Sequence, residues 1–299
     1  MDVSICIATH RRPEGLARLL ESLARAKRPP GLRAEVVLVD NDPATDPAHP
    51  AAEGVALPDL PLCRLREPRR SIAYARNCAV AAARGRWLAF VDDDEVVDEG
   101  WLAAYWRCVS ERNADGFFGP VLPRLEGVCT SWLDPGLFFA RPRPPSGARV
   151  EGEGARTGNA LVRGALFREL AFDPTFGRSG GSDTLLFRQL ALRGARFEWC
   201  DEAVVHESVP AERHRLGWLA RRAFRGGCVH AKIERRLGRG PSRLLGLARA
   251  GAAAGLLLAA AGVALPTGRV TSARALLRAL GLLGQGWAHL GGGFIVYGD

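Results

Sequence analysis

Apolar residues along the first 115 positions follow two rhythms. VSICIAT (3–9), AEVVLVD (34–40) and WLAFV (87–91) are nearly continuous β-prone runs, the kind buried on both faces of a parallel sheet. Between them the apolar positions recur at helical spacing. Leu16, Leu19, Leu20 and Leu23 share one face and follow Pro13, which suits a first helical turn. A short run, CRLRE (63–67), precedes Ser71, an N-cap candidate for the small-residue helix IAYARNCAVAAAR with Gly85 as its stop. Asp98 can cap a further helix to about Asn113. This order predicts an α/β fold with an open, mostly parallel sheet flanked by helices.

The pattern loosens afterwards. Residues 116–157 are rich in Pro and Gly (GPVLPRLEG, DPG, RPRPPSG) and predict a meandering loop with a strand or two. TGNALVRG (157–164) reads as a strand with a helix start behind it. GGSDTLLFRQLALRG (180–194) reads as a helix capped by Ser182 and closed by Gly194, and RFEWCDEAVVHE (196–207) as short strands. A basic, aromatic-bearing helical stretch follows from about 211 to 237. LLGLARAGAAAGLLLAAAGVAL (244–265) carries one charge, Arg249, and has the length of a bilayer-spanning helix, about 20 residues. ALLRALGLLGQGWAHLGGGFIVYG, further on, is also mostly apolar. The expectation is a helical hairpin that spans the membrane or lies on its surface. Its rival is an amphipathic pair packed on the main domain or on a partner subunit. The chain then divides into an α/β domain (1–210), a basic helical segment (211–243) and an apolar hairpin (244–299).

Charge sharpens this division. The formal net charge is +9, but residues 211–299 hold 14 Lys and Arg against 3 Asp and Glu, while residues 1–210 hold the other 27 and 29. A nucleic-acid binder would spread its basic residues over the body, so that class is disfavoured. The arginine density ahead of the hairpin, from Arg213 to Arg243, suits the cytoplasmic side of a membrane and its anionic headgroups. Seven cysteines without a CxxC pair read as small buried side chains in a reducing cytoplasm, not as a disulfide framework or zinc site. MDVSICIATH, with an acid at position 2, reads as a strand and not a signal peptide.

The chemistry begins at WLAFVDDDE (87–95), where an apolar strand runs into four carboxylates. Ligands of open α/β sheets bind outside the carboxyl ends of the strands. Three strands here end in polar groups: Thr9-His10-Arg11, Asp40-Asn41 and Asp92-Asp93-Asp94. In an extended chain Asp92 and Asp94 fall on one side and can face one ligand. Hard divalent cations such as Mg²⁺ or Mn²⁺ prefer such oxygens and are commonly shared with substrate phosphates. The competing reading is a solvated acidic turn capping a helix.

With these segments together, VSICIATHRRPEGLARLLESL, VVLVDND, ARNCAVAAARGRWLAFVDDDE and GGSDTLLFRQLALRG, residues 3–210 resemble the family 2 glycosyltransferases, inverting enzymes of the GT-A fold. Within that family the likeness is greatest to succinoglycan-type bacterial glucosyltransferases, through FDPTFG, the SD pair and RRAFRGG. The resemblance implies that Thr9 and Arg11 lie against the nucleotide, Asp40 holds the base, and Arg76 sits near base or phosphates. It also implies that Asp92 and Asp94 match the DXD motif, on ribose and on a diphosphate-bound Mg²⁺ or Mn²⁺, with Asp93 among the residues on the nucleotide sugar. Asp183 stands where the family has its general base, although Ser182 replaces the first acid of the usual pair. Such a base takes the proton of an acceptor hydroxyl as it attacks the anomeric carbon, worth on the order of 10²–10⁴ in rate.

Other positions carry two readings each. Gly158-Asn159 either line a sugar or form a strand-entry turn. His206 either approaches the metal or is structural. Arg221, Arg222 and Arg225 either grip a diphosphate or lie along a lipid headgroup surface, and Trp199 and Trp218 either stack on sugars or pack. The expected function is transfer of a hexose from a nucleotide sugar, UDP-linked, to a lipid-linked saccharide at the cytoplasmic membrane face, in cell-surface polysaccharide synthesis. The rivals are a polyprenyl-phosphate glycosyltransferase and an inactive membrane scaffold of the same fold.

Overall fold

The structure is a computed structural model and describes residues 1–44, 57–127, 136–152, 154–177, 179–264 and 268–292. Cys129, the proline-rich end of the loop after Asp42, the turn between the last two helices and the final FIVYG therefore lie outside the described residues. The rest forms two compact units. The first comprises residues 1–124, 141–178 and 182–208; the second comprises 125–140, 179–181 and 209–299.

The first unit is built on a seven-stranded sheet. Its strands are β1 (Val3–Thr9), β2 (Ala34–Asp40), β3 (Leu62–Arg66), β4 (Trp87–Val91), β6 (Gly116–Phe118), β8 (Asn159–Arg163) and β9 (Phe197–Trp199), in the order β3-β2-β1-β4-β8-β6-β9. β1, β2, β3 and β4 run parallel, β8 is antiparallel to both neighbours, and β6 and β9 are again parallel. A smaller sheet pairs β5 (Glu95–Val97), β10 (Val205–Val209) and β7 (Val121–Leu125) in the order β5-β10-β7.

Alternation along each strand builds two cores. Val3, Ile5 and Ile7 of β1, Val36 and Leu38 of β2 and Trp87, Ala89 and Val91 of β4 face α1 (Pro13–Arg25) and α3 (Trp101–Glu111). Cys6, Val37, Val39, Leu88 and Phe90 face α2 (Ile72–Ala82) and α5 (Ser182–Leu192). Burial on both faces is why these strands read as unbroken apolar runs. Asp98 does not cap α3, which has Gly100 at that position, and Ser182 is the first residue of α5 and not its cap.

Two buried polar clusters are fixed in this unit. Asn159 accepts from Trp101 Nε1 (2.9 Å) and the Tyr105 hydroxyl (2.7 Å), and donates to the carbonyls of Pro120 (3.0 Å) and Ala203 (2.6 Å). At the far end of the sheet, buried Glu35 accepts from the Ser4 hydroxyl (2.6 Å) and the Arg84 guanidinium. Burial pushes its carboxyl up, and the bonds from Arg84 and Ser4 outweigh this and lower it.

In the second unit, α4 (Gly136–Phe139), α6 (Leu216–Arg236), α7 (Arg243–Ala264) and α8 (Arg269–His289) follow. Trp218 stacks on Phe139 (5.8 Å, 30°), and the Arg222 guanidinium lies over both rings. α6 is tied to α8 by Cys228 Sγ to the Gly284 carbonyl (3.2 Å) and Arg235 to the Ala288 carbonyl (2.7 Å). α8 also packs on α7, so a helical pair is present. Among the described residues no helix is long and apolar enough to cross a membrane. Leu244, Leu256, Leu290 and Trp287 remain exposed.

Two outcomes are expected. Asn159→Ala strands the Trp101 and Tyr105 donors and the Ala203 carbonyl, and should cost about 3 kcal/mol, read as a lower urea midpoint. Because the Glu35 carboxyl is lowered from its ordinary 4.5, its contribution is complete above that pH and lost as pH falls through the folded value. The stability gap between wild type and Glu35→Gln, measured by denaturant titration, should be widest near neutrality and close below about pH 4.5.

Candidate active site

The parallel register brings the ends of β1, β2 and β4 to one edge of the sheet: Thr9 lies opposite Asp40, and β4 runs on past Val91 into the acids. The acidic turn divides its carboxylates by parity. Asp92 and Asp94 are partly open, their side chains 41% and 20% exposed, while Asp93 and Glu95 are buried. Each open acid has an arginine: Arg76 Nη2 lies 2.9 Å from Asp92 Oδ1, and Arg12 Nη1 lies 2.9 Å from Asp94 Oδ2.

Asp93 turns inward. It accepts from the Thr9 hydroxyl (2.9 Å), the His10 amide (3.4 Å) and Arg12 (2.9 Å). Burial raises its carboxyl, with the charges of Asp94 and Asp92 adding to this and Arg12 and Thr9 opposing it. Two assignments therefore need correction. Asp93 does not face a ligand, and the Thr9 hydroxyl is committed to it and not to a nucleotide. Glu95 accepts from the Asp92 amide (2.8 Å), and burial, then the Asp92 charge, push its carboxyl well above the ordinary range. Arg12 and Arg76 supply the countercharge beside these acids.

Arg11 adopts a left-handed backbone (φ 54°) and grips Asp42 through two bonds of 2.7 and 3.2 Å, which lower the Asp42 carboxyl. Asp40 accepts from the Asp42 amide through Oδ1 (2.9 Å), and its Oδ2 has no hydrogen bond among the described residues.

The other side of the crevice comes from β8. Val91 pairs with Asn159, so Gly158 lies beside Asp92: a Cβ there would meet Glu95 Oε1 at 2.8 Å and Asp92 Oδ2 at 3.5 Å. One residue earlier, the Thr157 hydroxyl reaches Asp183 Oδ2 at 3.5 Å, at the start of α5. Asp92 and Asp183 are thus joined by two consecutive residues.

The remaining candidates separate from this arrangement. Asn159 is corrected to a core residue, its amide wholly used within the fold. His206 Nε2 meets Asp98 Oδ1 at 3.0 Å, so it serves that contact and not the metal position assigned to it. Arg221, Arg222 and Arg225 lie on α6 in the second unit, where Arg221 is exposed and Arg222 covers aromatic rings; Trp218 packs, as one of its two readings had it. Trp199 is buried and donates to Asp201 (3.1 Å).

Arg12, Asp42, Glu95 and Thr157 were not foreseen. Arg12 and Asp42 stand beside named residues in THRRP and VDND, and Glu95 ends the acidic run. Thr157 carried no signal.

Among the described residues no group of three or more His, Cys, Asp or Glu is arranged to hold a metal by itself. An ion such as Mg²⁺ or Mn²⁺ shared with phosphates needs only one or two carboxylates, and the partly open oxygens of Asp92 and Asp94 suit that demand.

The fold is the GT-A fold of glycosyltransferases. Residues 4–163 match the glycosyl transferase family 2 model, and the chain belongs to that family. It is 34% identical over 271 residues to the succinoglycan biosynthesis protein ExoM of Rhizobium meliloti (strain 1021), covering 89% of this chain and 85% of that protein. Among solved structures, the mannosyltransferase PcManGT of Pyrobaculum calidifontis, in complex with GDP-Man and Mn²⁺, superposes with a TM-score of 0.62 at 20% identity, over 96% and 86% of the two chains. TarS 1-349 of S. aureus in complex with UDP gives 0.56 at 17% identity, over 98% and 92%. The chain is a glycosyltransferase.

Gly158→Ala should displace the Glu95 carboxyl that holds the Asp92 amide, while leaving the fold intact. The expected loss is on the order of 10²-fold in kcat/KM for the donor, with an unchanged circular-dichroism melt.

Proposed function

We propose that this enzyme is an inverting, divalent-cation-dependent hexosyltransferase. It takes its sugar from a UDP-linked donor and passes it to a lipid-linked saccharide during cell-surface polysaccharide synthesis. The observation that carries this reading is the peptide 157–158, which sets Asp183 beside the acid pair that suits a diphosphate. Asp40 Oδ2 is available to a base, and Arg76 and Arg12 keep Asp92 and Asp94 oriented. Asp94 and Asp92 would hold Mg²⁺ or Mn²⁺, which supplies countercharge to the diphosphate when bound. Asp183 orients the acceptor hydroxyl and takes its proton. Attack opposite the leaving group in one displacement inverts the anomeric carbon. The likeness to ExoM supports polysaccharide synthesis as the setting, and the TarS complex with UDP supports the donor class.

The acceptor's lipid places the reaction at the cytoplasmic face of the plasma membrane. There the pair α7 and α8 lies on the surface, with Leu244, Leu256, Leu290 and Trp287 toward the lipid and the arginines of α6 toward anionic headgroups.

The test is a panel of UDP-hexoses with Mn²⁺ and bacterial membrane extract as acceptor. Asp183→Asn should lower kcat on the order of 10²–10⁴-fold at unchanged UDP affinity, and Asp94→Ala should remove the Mn²⁺ response. Full turnover by Asp183→Asn would refute the assignment of the base.

A further inference from the structure

A cavity of about 440 Å³ opens in the first unit at the ends of β6 and β9, apart from the DXD turn. Its apolar lining includes Phe118, Pro120, Pro142 and Trp199. Among the described residues its charged lining is Arg141, Arg143, Arg149 and Arg156 with one acid, Glu151. Two of the arginines are already engaged. Arg143 Nε lies 2.5 Å from Asp201, and Arg141 lies 3.4 Å from Glu207. Arg149 and Arg156 make no side-chain hydrogen bond or ion pair among the described residues, and both reach solvent. The protein crowded around Arg156, and then Arg141, lower its pKa, while the charges of Asp183 and Glu207 oppose this. A guanidinium remains charged even so. Two guanidiniums at one concave, partly apolar mouth, both open to solvent, can turn together onto one anion.

The place of Arg156 in the chain ties this cavity to the reaction. Arg156 lines it, Thr157 bonds Asp183, and Gly158 abuts Asp92. Three consecutive residues thus report to the cavity, to the base and to the donor side. An acceptor with its hydroxyl at Asp183 can extend into the cavity.

We propose that this cavity is the acceptor subsite and that it selects a phosphorylated saccharide, with Arg149 and Arg156 binding the phosphate and the apolar wall of Trp199, Pro120 and Pro142 carrying the sugar. The planar guanidinium forks suit phosphate oxygens bidentately. The inference rests on the transferase reading and adds to it what marks the acceptor. A free sugar phosphate and a lipid-linked sugar diphosphate share this chemistry.

The test is equilibrium binding to the full chain with UDP and Mn²⁺ saturating the donor crevice. Three probes are compared: methyl galactoside, galactose 1-phosphate, and galactosyl diphosphate carrying a short alkyl chain. Both phosphorylated probes should bind at least about ten-fold more tightly than the neutral one. A further gain for the alkyl form identifies the lipid-linked source, and equal affinity of the two identifies the free sugar phosphate. Arg149→Gln and Arg156→Gln should each erode the preference for phosphate, and Glu151→Gln should strengthen it about two- to three-fold, all at unchanged UDP affinity. Equal binding of neutral and phosphorylated probes, or a preference that survives both arginine substitutions, would overturn the proposal. Failure of the wild type to bind UDP would instead count against the transferase reading.

Discussion

Asp93 holds the acidic turn in shape. Its carboxylate is buried where the ends of β1 and β4 meet, and it gathers the Thr9 hydroxyl, the His10 amide and Arg12. These bonds fix the path of the chain on either side, and Asp92 and Asp94 emerge toward the crevice from a turn closed by the Glu95 amide on the Asp92 carbonyl (3.1 Å). Arg12 serves both Asp93 and Asp94 and so couples the buried acid to the open one. An acid cluster without this anchor would be pulled apart by its own repulsion.

Much of this was legible in the sequence. Unbroken apolar runs gave the doubly covered strands, and the polar residues at their ends marked the crevice. The limits have physical causes. Asp92, Asp93, Asp94 and Glu95 look alike as letters, and which of them face inward is decided by the turn they form after β4 and not by strand alternation. Thr9 and Asp93 belong to one hydrogen bond across 84 residues, which no local pattern reveals. Asn159 stood beside a glycine in a plausible turn, and only the positions of Trp101 and Tyr105 on α3 turn it into a core residue.

The antiparallel strand β8 was the least foreseeable element of consequence. Running against β4, it delivers its N-terminal residues to the same edge at which the parallel strands end. A parallel strand in that slot would present its carboxyl end there instead. Asp92 and Asp183 are thereby spaced by backbone geometry, which is stiffer than any pair of side chains. In the tail, Ala and Gly provide close helix packing between α7 and α8.

The Asn159 amide has a bearing on how this protein ages. Its oxygen faces two donors and its nitrogen faces two carbonyl oxygens, so only one orientation is admissible. Deamidation would set a carboxylate oxygen against those carbonyls in the middle of the sheet. Enclosure within a paired strand denies the backbone the freedom to cyclise that this decay requires. The chain thus keeps a chemically fragile side chain at its centre by holding it still.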